Sequence, residues 1–239
     1  MDEGTDFAWV MSETEEGLLF LHWPLPAESL RPLVPPGLAL DTYEGDAWLT
    51  LNTFNMAAAR FRSLPSIPGM NNSPEVDLRT YVRAGDEQGI FFLSMDIDNQ
   101  LGVWISRTFY HLPYLQSRIT FDFLGDGFRI ESQRRACKAA PAAAFGASYQ
   151  PAGDPFCAAP GSLEAFLLER TAYFAASQEG RLYRGRDHRL PLVLAPAEAE
   201  IEANTVVQAA GLELPEVQPI LHYSPGMAIL TEDVKPLDG

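Results

Sequence analysis

The sequence contains few cysteines and no long apolar run. Only Cys137 and Cys157 occur among 239 residues, they do not form a CxxC pair, and no nearby histidine spacing suggests zinc. Two cysteines are too few for a disulfide framework and favour reduced thiols. No stretch reaches 18 uninterrupted apolar residues, and the acidic start at Met1 lacks the basic and then apolar pattern of a signal peptide. We therefore expect a cytoplasmic protein with no membrane partner.

Basic residues are also scarce, and lysine is nearly absent. The chain has 17 basic and 32 acidic residues, for a net charge of −15, and its only lysines are Lys138 and Lys235. Such a surface repels nucleic acids and anionic membranes. The nearest approach to a basic run, Arg134 to Lys138, is short and has no interleaved aromatic residues. The sequence therefore predicts no nucleic-acid partner, and both lysines are expected to be solvated surface charges.

Motifs for metals and common cofactors are missing as well. The four histidines, His22, His111, His188 and His222, never stand two or four residues apart, so no local metal motif exists. There is no GxSxG nucleophile elbow, no P-loop and no GxGxxG after a strand. We expect no metal site and no cofactor.

Glycine and proline, by contrast, are frequent and widely spread, which favours many short elements over long helices. The chain has 18 glycines and 19 prolines. Most apolar runs between them have the length and composition of strands. The predicted strands are Gly17–Trp23, Ala47–Met56, Val76–Val82, Ile90–Ile97, Arg118–Leu124, Gly127–Arg135, Ala142–Tyr149, Ala199–Ala209, Pro219–Tyr223 and Met227–Thr231.

The predicted helices are few. The main one runs from the N-cap Ser162 to about Glu179, with Gly180 to close it, and the two short ones are Ala27–Val34 and Val103–Tyr110. Residues 60–72 are expected to form a surface loop. We predict a mainly β (β-rich α+β) fold in a single domain over residues 1–239, because a closed or nearly closed sheet best protects so many strand edges. Any edge left exposed makes a homodimer plausible.

Two motifs resemble the acetoacetate decarboxylase-like proteins. The first comprises Leu30-Arg31, Val34-Pro35 and Leu38, and the second places Asp98-Asn99, Arg107 and Pro113 at the intervals that the decarboxylases use. Glu75 stands where that family has a pocket glutamate. This resemblance covers about residues 17 to 124 and implies an acetoacetate decarboxylase-like β-barrel.

Other segments resemble a branch of that superfamily, the YqjF-like domain of unknown function, over nearly the whole chain. That branch has no agreed activity to carry over. The segments that resemble it are His22-Trp23-Pro24, Glu75 with Arg79 to Val82, Pro113-Tyr114, Tyr183 to His188 and His222 to Gly226.

The resemblance also exposes one missing group. After the proline that matches Pro113, the decarboxylases carry two adjacent lysines, one of which forms an imine with the keto acid. This chain has Tyr114 and Leu115 there, and neither can form an imine. We therefore expect no Schiff-base decarboxylation.

Several residues remain as candidates for a pocket. Alternation along 76–82 places Arg79 and Tyr81 on the face of Glu75 and Asp77. Arg79, together with the motif residue Arg107, would suit a small anionic or carbonyl ligand, since a guanidinium offers paired donors to a carboxylate. Each has an alternative: Arg79 pairs with Glu75 or Asp77, and Arg107 forms a surface ion pair.

The proton-transfer candidates are Glu75, Tyr114 and His188. Burial would raise the pKa of Glu75 and make it useful as an acid or base, whereas pairing with Arg79 would keep it ionised and inert. Tyr114 could donate a hydrogen bond or simply be a satisfied buried tyrosine. His188 either lines the site from the second half of the chain or has no special role, and His22 is either a ligand contact or a core histidine.

Three functions remain open at this stage. The first is an enzyme that acts on a carboxylated or carbonyl compound without imine chemistry, and the second is a carrier or sensor with the same pocket. The third is an interaction protein whose pocket is filled by Trp23, Trp48 or Trp104. A polar cavity with converging side chains would favour the first two.

Overall fold

The computed structural model describes residues 7–65 and 71–237, and most of them lie in strands. The mainly β fold predicted from the sequence is confirmed. The strands are β1 (Trp9–Leu25), β2 (Ala39–Leu40), β3 (Ala47–Phe61), β4 (Ser73–Ala84), β5 (Glu87–Ile97), β6 (Tyr114–Leu124), β7 (Gly127–Arg134), β8 (Ala143–Pro151), β9 (Phe156–Cys157), β10 (Ala172–Ala176), β11 (Leu182–His188), β12 (Val193–Asn204), β13 (Ile220–Glu232) and β14 (Lys235–Pro236).

The helices are short and lie between strands. They are α1 (Ala27–Leu30), followed by a 3₁₀ turn (Arg31–Leu33), then α2 (Gln100–Phe109), α3 (Leu163–Leu168) and α4 (Val206–Ala209). No helix in the described ranges has the length and apolar character needed to cross a bilayer.

The strand pairings form two closed rings that share a common wall. One ring runs through β1, β3, β4, β5, β6, β7, β8, β12 and β13 and returns to β1. The other runs through β1, β3, β4, β5, β10, β11 and β13 and again returns to β1. The predicted closed or nearly closed sheet is thus confirmed, although it is not one even barrel.

Strands of the common wall have both faces buried, because each face belongs to a different ring. On β4, Val76 and Leu78 pack in the core of the larger ring, while Tyr81 packs in the core of the smaller one. On β1, Leu19 and Phe20 divide in the same way. Successive side chains of a strand point to opposite faces, and both faces of these strands are buried. The sequence of β1 is therefore a nearly continuous apolar run in its second half, whereas apolar and polar residues alternate along β4.

Helix α2 closes one end of the smaller ring. Asn99 caps it, because its side-chain oxygen accepts a hydrogen bond from the backbone nitrogen of Gly102 at 2.9 Å. The chain then turns into β6, where Tyr114 pairs with Met95 in a parallel ladder. This short connection places the side chain of Tyr114 under α2.

The predicted main helix from Ser162 to Glu179 is wrong in its second half. Ser162 caps α3 as expected, but α3 ends at Leu168, and residues 172–176 form β10 between β5 and β11. Apolar residues expected to share one face of that helix lie in different places: Leu167 packs in the core of the smaller ring, while Phe174 packs against Val34 and Val82. Sheet pairing on both sides of β10 overrides the local helical pattern, and α2 is the longest helix.

Other strands also begin or end at residues different from those predicted. β1 begins at Trp9 instead of Gly17, and the strand expected over Ala199–Ala209 is β12, which ends at Asn204 before α4. β11 was not predicted as a strand. In the expected loop 60–72, β3 continues to Phe61, and residues 66–70 lie outside the described residues.

Candidate functional site

The smaller ring encloses a cavity of about 120 Å³. Its wall is formed by β1, β3, β4, β5, β10, β11 and β13, with α2 and α3 at its ends. The lining combines apolar side chains with an unusual number of carboxyl groups. Such a concave, mostly apolar space with a few polar groups is typical of a small-molecule site.

Glu75 and Tyr114 meet in this wall and form a hydrogen-bonded pair. The hydroxyl of Tyr114 donates to Oε2 of Glu75 at 3.1 Å, and both side chains are buried. Burial, followed by the nearby charge of Asp77, raises the pKa of Glu75 well above its usual value. Burial also raises the pKa of Tyr114, and the adjacent Glu75 adds to that effect. Burial therefore shifts Glu75 towards its protonated form.

Four further carboxyl groups line the same cavity: Glu13, Glu15, Asp77 and Asp187. Burial is the largest cause of a raised pKa for each of them, and repulsion within the group adds to it for Glu13 and Glu15. The pKa rises to about 8 for Glu13, about 8 for Asp77 and about 6 for Asp187, and well above the usual value for Glu15. Burial therefore shifts the whole acidic wall towards its protonated forms.

Arg79 supplies a positive charge to the cavity. It lies on β4 two residues beyond Asp77, with its guanidinium 5.6 Å from the ring centre of Phe20. Its Nε is buried and has no hydrogen-bond partner among the described residues, and Arg79 forms no ion pair with any of them. Its side chain hydrogen-bonds Tyr81, and its charge partly offsets the rise in the pKa of Asp77. Arg79 thus acts on Asp77 through its charge, without a direct ion pair.

The other arginines of the cavity wall are paired. Arg170 lies 2.7 Å from Asp41 and packs over the ring of Phe166, and Arg189 lies 3.1 Å from Glu169. Their charges are largely neutralised outside the cavity. Arg79 is thus the arginine of the wall that has no ion-pair partner among the described residues.

His22 and Tyr81 lie inside the smaller ring but are not among the residues that line the cavity. Nδ1 of His22 is 2.8 Å from Oγ1 of Thr50, which is 2.6 Å from the hydroxyl of Tyr81. Burial lowers the pKa of His22 well below its usual value, and the neighbouring His222 adds to that effect. These contacts connect β1, β3 and β4 beside the cavity.

Arg107 and His188, for which the sequence left both a pocket position and a position outside the pocket open, do not line the cavity. Arg107 is exposed on α2 and donates to the backbone carbonyl of Tyr114 at 3.3 Å. His188 lies 2.6 Å from Glu232 and stacks on Phe7. Because side chains alternate along β11, the residue before it, Asp187, points into the cavity instead.

Sequence reasoning missed Glu13, Glu15 and Asp187. β1 was predicted to begin at Gly17, so the alternating residues before that point were not assigned to a strand. A longer strand would have placed both glutamates on one face. The residues of β11 follow the predicted main helix in the sequence, and no local pattern indicated that they form a strand beside β13.

The pocket is not filled by tryptophan. Trp23 packs in the core of the larger ring, Trp48 in the core of the smaller ring, and Trp104 is exposed on α2. None of the three lines the cavity. Within the described ranges, no group of three or more His, Cys, Asp and Glu side chains is arranged to hold a metal ion.

The chain belongs to the DUF2071 family, a family of uncharacterised conserved proteins, which matches residues 13–228. Among curated proteins, it is 42% identical over 225 residues to the uncharacterized protein YqjF of Bacillus subtilis (strain 168), covering 94% of this chain and 91% of that protein. The YqjF-like resemblance seen in the sequence is thus confirmed.

Solved structures of similar fold include enzymes of the acetoacetate decarboxylase type. The enduracididine biosynthesis enzyme MppR, complexed with pyruvate, matches with a TM-score of 0.67 and 10% identity, covering 99% of this chain and 93% of that one. Acetoacetate decarboxylase from Legionella pneumophila matches with a TM-score of 0.66 and 13% identity, covering 100% and 92%. These likenesses confirm the acetoacetate decarboxylase-like fold.

We predict that borohydride reduction in the presence of acetoacetate or pyruvate leaves no covalent adduct in the cavity. Lys138 is exposed beyond β7, Lys235 is 61% exposed on β14, and neither lines the cavity. An imine needs an amine held beside the carbonyl carbon. Mass spectrometry of the intact protein checks this, and a stoichiometric adduct would contradict it.

Proposed function

We propose that this protein binds a small carboxylated or carbonyl compound in the cavity and moves a proton on the carbon next to its carbonyl group, without imine chemistry. The observation that carries the proposal is the combination in one cavity of the unpaired Arg79 and the proton-bearing pair of Glu75 and Tyr114.

Arg79 suits the anionic part of such a compound. Burial shifts the neighbouring carboxyl groups of Glu75 and Asp77 towards their protonated forms, and Arg79 forms no ion pair with either of them. A guanidinium presents paired donors that match a carboxylate or an enolate oxygen. A similar fold in MppR holds pyruvate, a small keto acid, which supports this ligand class.

Glu75 suits the proton transfer. A raised pKa makes the ionised form of its carboxyl a stronger base than an ordinary glutamate. In the proposed step, the carboxylate takes a proton as the C–H bond breaks, and the electron pair of that bond becomes an enolate beside Arg79. The reverse step returns a proton to the carbon. Tyr114 holds the carboxyl in place through its hydrogen bond.

The binding half of the proposal is tested by calorimetry with pyruvate and acetoacetate. We expect Arg79→Gln to weaken binding about tenfold to hundredfold, because a charged hydrogen-bonded pair contributes about 1.5–3 kcal/mol. The matched control is Arg107→Gln, which removes an exposed arginine outside the cavity and should leave affinity unchanged. Equal affinities in wild type and Arg79→Gln, or no binding in wild type, would overturn it.

The proton-transfer half is tested by exchange of the methyl protons of pyruvate in D₂O, followed by NMR. Wild type should accelerate the exchange above the buffer rate, and Glu75→Gln should abolish the acceleration while pyruvate still binds. Pyruvate that binds to wild type without faster exchange would show a carrier and not an enzyme.

A further inference from the structure

We infer that the ligand of this cavity carries a primary ammonium group in addition to its carboxylate, so that the substrate class is a short ω-amino acid or amino keto acid. This inference rests on the proposed function, which places the carboxylate at Arg79. It concerns the part of the same cavity that lies away from Arg79, where the proposed function assigns no ligand group to the carboxyl side chains.

The first observation is the imbalance of charge in the wall. Glu13, Glu15, Asp77 and Asp187 line the cavity, and none of them forms an ion pair with a described basic residue. Asp187 accepts a hydrogen bond from Oγ1 of Thr231 at 2.8 Å, but a hydroxyl brings no charge. Buried carboxyl groups are usually paired with a cation, whereas here the charge of Arg79 acts on Asp77 and Glu15 without a direct ion pair.

The second observation is independent of charge. Oδ1 of Asp77 and Oδ1 of Asn52 are buried oxygens in the cavity wall without a hydrogen-bond partner among the described residues. Their side chains are 2% and 3% exposed, and the two residues pair across β3 and β4. An unpartnered buried acceptor is costly. An ammonium offers three donors and no acceptor, which is what such a wall lacks.

The register of the strands separates the two charged parts of the cavity. Arg79 pairs with Thr50 on β3, which pairs with His22 on β1, whereas Glu15 pairs with Met56 and Glu13 with Ala59 further along the same strands. The unpartnered oxygens of Asp77 and Asn52 lie between these parts. An elongated ligand with a carboxylate at one end and a cation at the other fits this order.

The size of the cavity limits the length of that ligand. A volume of about 120 Å³ is somewhat smaller than the cavity of about 150 Å³ that holds benzene in another protein. A compact ammonium suits it better than a planar guanidinium, and a chain of three to five carbons is the range to test.

Protons take the place of the cation when the cavity is empty. The titratable and charged groups that face it are the five carboxyl groups, the phenols of Tyr110, Tyr114 and Tyr173, and the guanidinium groups of Arg79, Arg170 and Arg189. Of these, Glu13 and Asp77 change charge near pH 8 and Asp187 near pH 6, since burial raises their pKa values to about 8, about 8 and about 6. An ammonium group would displace those protons. The affinity of an amino acid relative to that of the same acid without the amino group should therefore increase as the pH rises.

The test compares matched ligands by calorimetry: 3-aminopropanoate, 4-aminobutyrate and 5-aminopentanoate against propanoate, butyrate and pentanoate. For at least one chain length we expect the amino acid to bind tenfold or more tightly than its unsubstituted partner at pH 8. This ratio of the two affinities should fall at pH 6. In Glu15→Gln and in Glu13→Gln the ratio should fall at least threefold. The control is Glu16→Gln, which removes an exposed carboxylate of the same strand and should leave the ratio unchanged.

The outcomes separate this inference from the proposed function. If the unsubstituted acids bind in an Arg79-dependent way and the amino group gives no advantage at any length, the inference fails and the proposed function stands. If none of the six compounds binds, both fail. Retained binding of butyrate to the glutamine variants shows that they are folded, so a lost ratio in them cannot be a folding defect.

Discussion

Replacement of Asp77 by asparagine should raise the free energy of unfolding by about 2–4 kcal/mol at pH 7.5 and leave it nearly unchanged at pH 4. In the folded chain, burial holds the pKa of Asp77 at about 8, well above the value of about 3.9 of an unfolded chain. The folded state therefore keeps a proton that the unfolded state loses between these values. Over that interval Asp77 lowers the free energy of unfolding by up to about 1.4 kcal/mol per pH unit.

Asparagine cannot ionise, so the variant should lose this part of the pH dependence. Urea denaturation followed by fluorescence between pH 4 and pH 8.5 measures the slope in both proteins. Asp122→Asn is the control, because Asp122 is exposed on β6 and should not alter the slope. Parallel stability profiles for wild type and Asp77→Asn would show that Asp77 is ionised in the folded state.

Replacement of Gly185 by alanine should destabilise the protein by about 2–3 kcal/mol and weaken ligand binding. Gly185 on β11 lies opposite Tyr173 on β10, and a Cβ atom at position 185 would overlap the phenol ring of Tyr173. That ring is 4% exposed and lines the cavity, so it can move only towards the space that the ligand needs. Thermal unfolding and calorimetry with pyruvate measure the two effects.

A double-mutant cycle identifies the cause. In a Tyr173→Ala background, Gly185→Ala should cost less than about 0.5 kcal/mol, because the overlapping ring is gone. Gly146→Ala in β8 is the matched control, since the nearest atom to its added Cβ lies 3.7 Å away. If Gly185→Ala costs the same with and without the tyrosine ring, the ring is not what requires glycine at this position.

The composition of the wall explains why the effect of Asp77→Asn should be large. A cavity lined by protonated carboxyl groups is unfavourable for the free protein at neutral pH, and each such group costs stability that a neutral amide would restore. Functional sites are often where stability is given up in this way. Asp77 therefore links the stability of the empty protein to the chemistry proposed for the filled one.

Part of the site follows from the sequence. Strict alternation places Glu75 and Arg79 on one face of β4, and the structure brings both into the cavity. The resemblance to the decarboxylases at Asp98-Asn99, Arg107 and Pro113 implied a pocket position for Tyr114, and the structure places it beside Glu75. The first of these predictions depends on a few neighbouring residues, because the period of a strand fixes which of them share a face.

Other parts do not follow from the sequence. Arg107 keeps the motif spacing, yet α2 turns its side chain to the surface. His188 was one candidate for the site and Asp187 was not considered, although side-chain alternation along β11 points Asp187 into the cavity. The helix predicted beyond Leu168 is a strand, because β5 and β11 supply partners on both sides. Each of these outcomes depends on contacts with segments that are distant in the sequence.

The sequence by itself determined the family, the β-rich class, the face of β4 that carries Glu75 and Arg79, and the absence of a lysine at position 114. These are local properties of composition, spacing and side-chain alternation. Only the tertiary structure decided that β13 pairs with β1, β11 and β12, so that two rings share a wall and one of them encloses the acids of β1, β4 and β11. The reason is physical: burial and the mutual repulsion that raise these pKa values arise between residues far apart in the chain, and no local pattern encodes that distance.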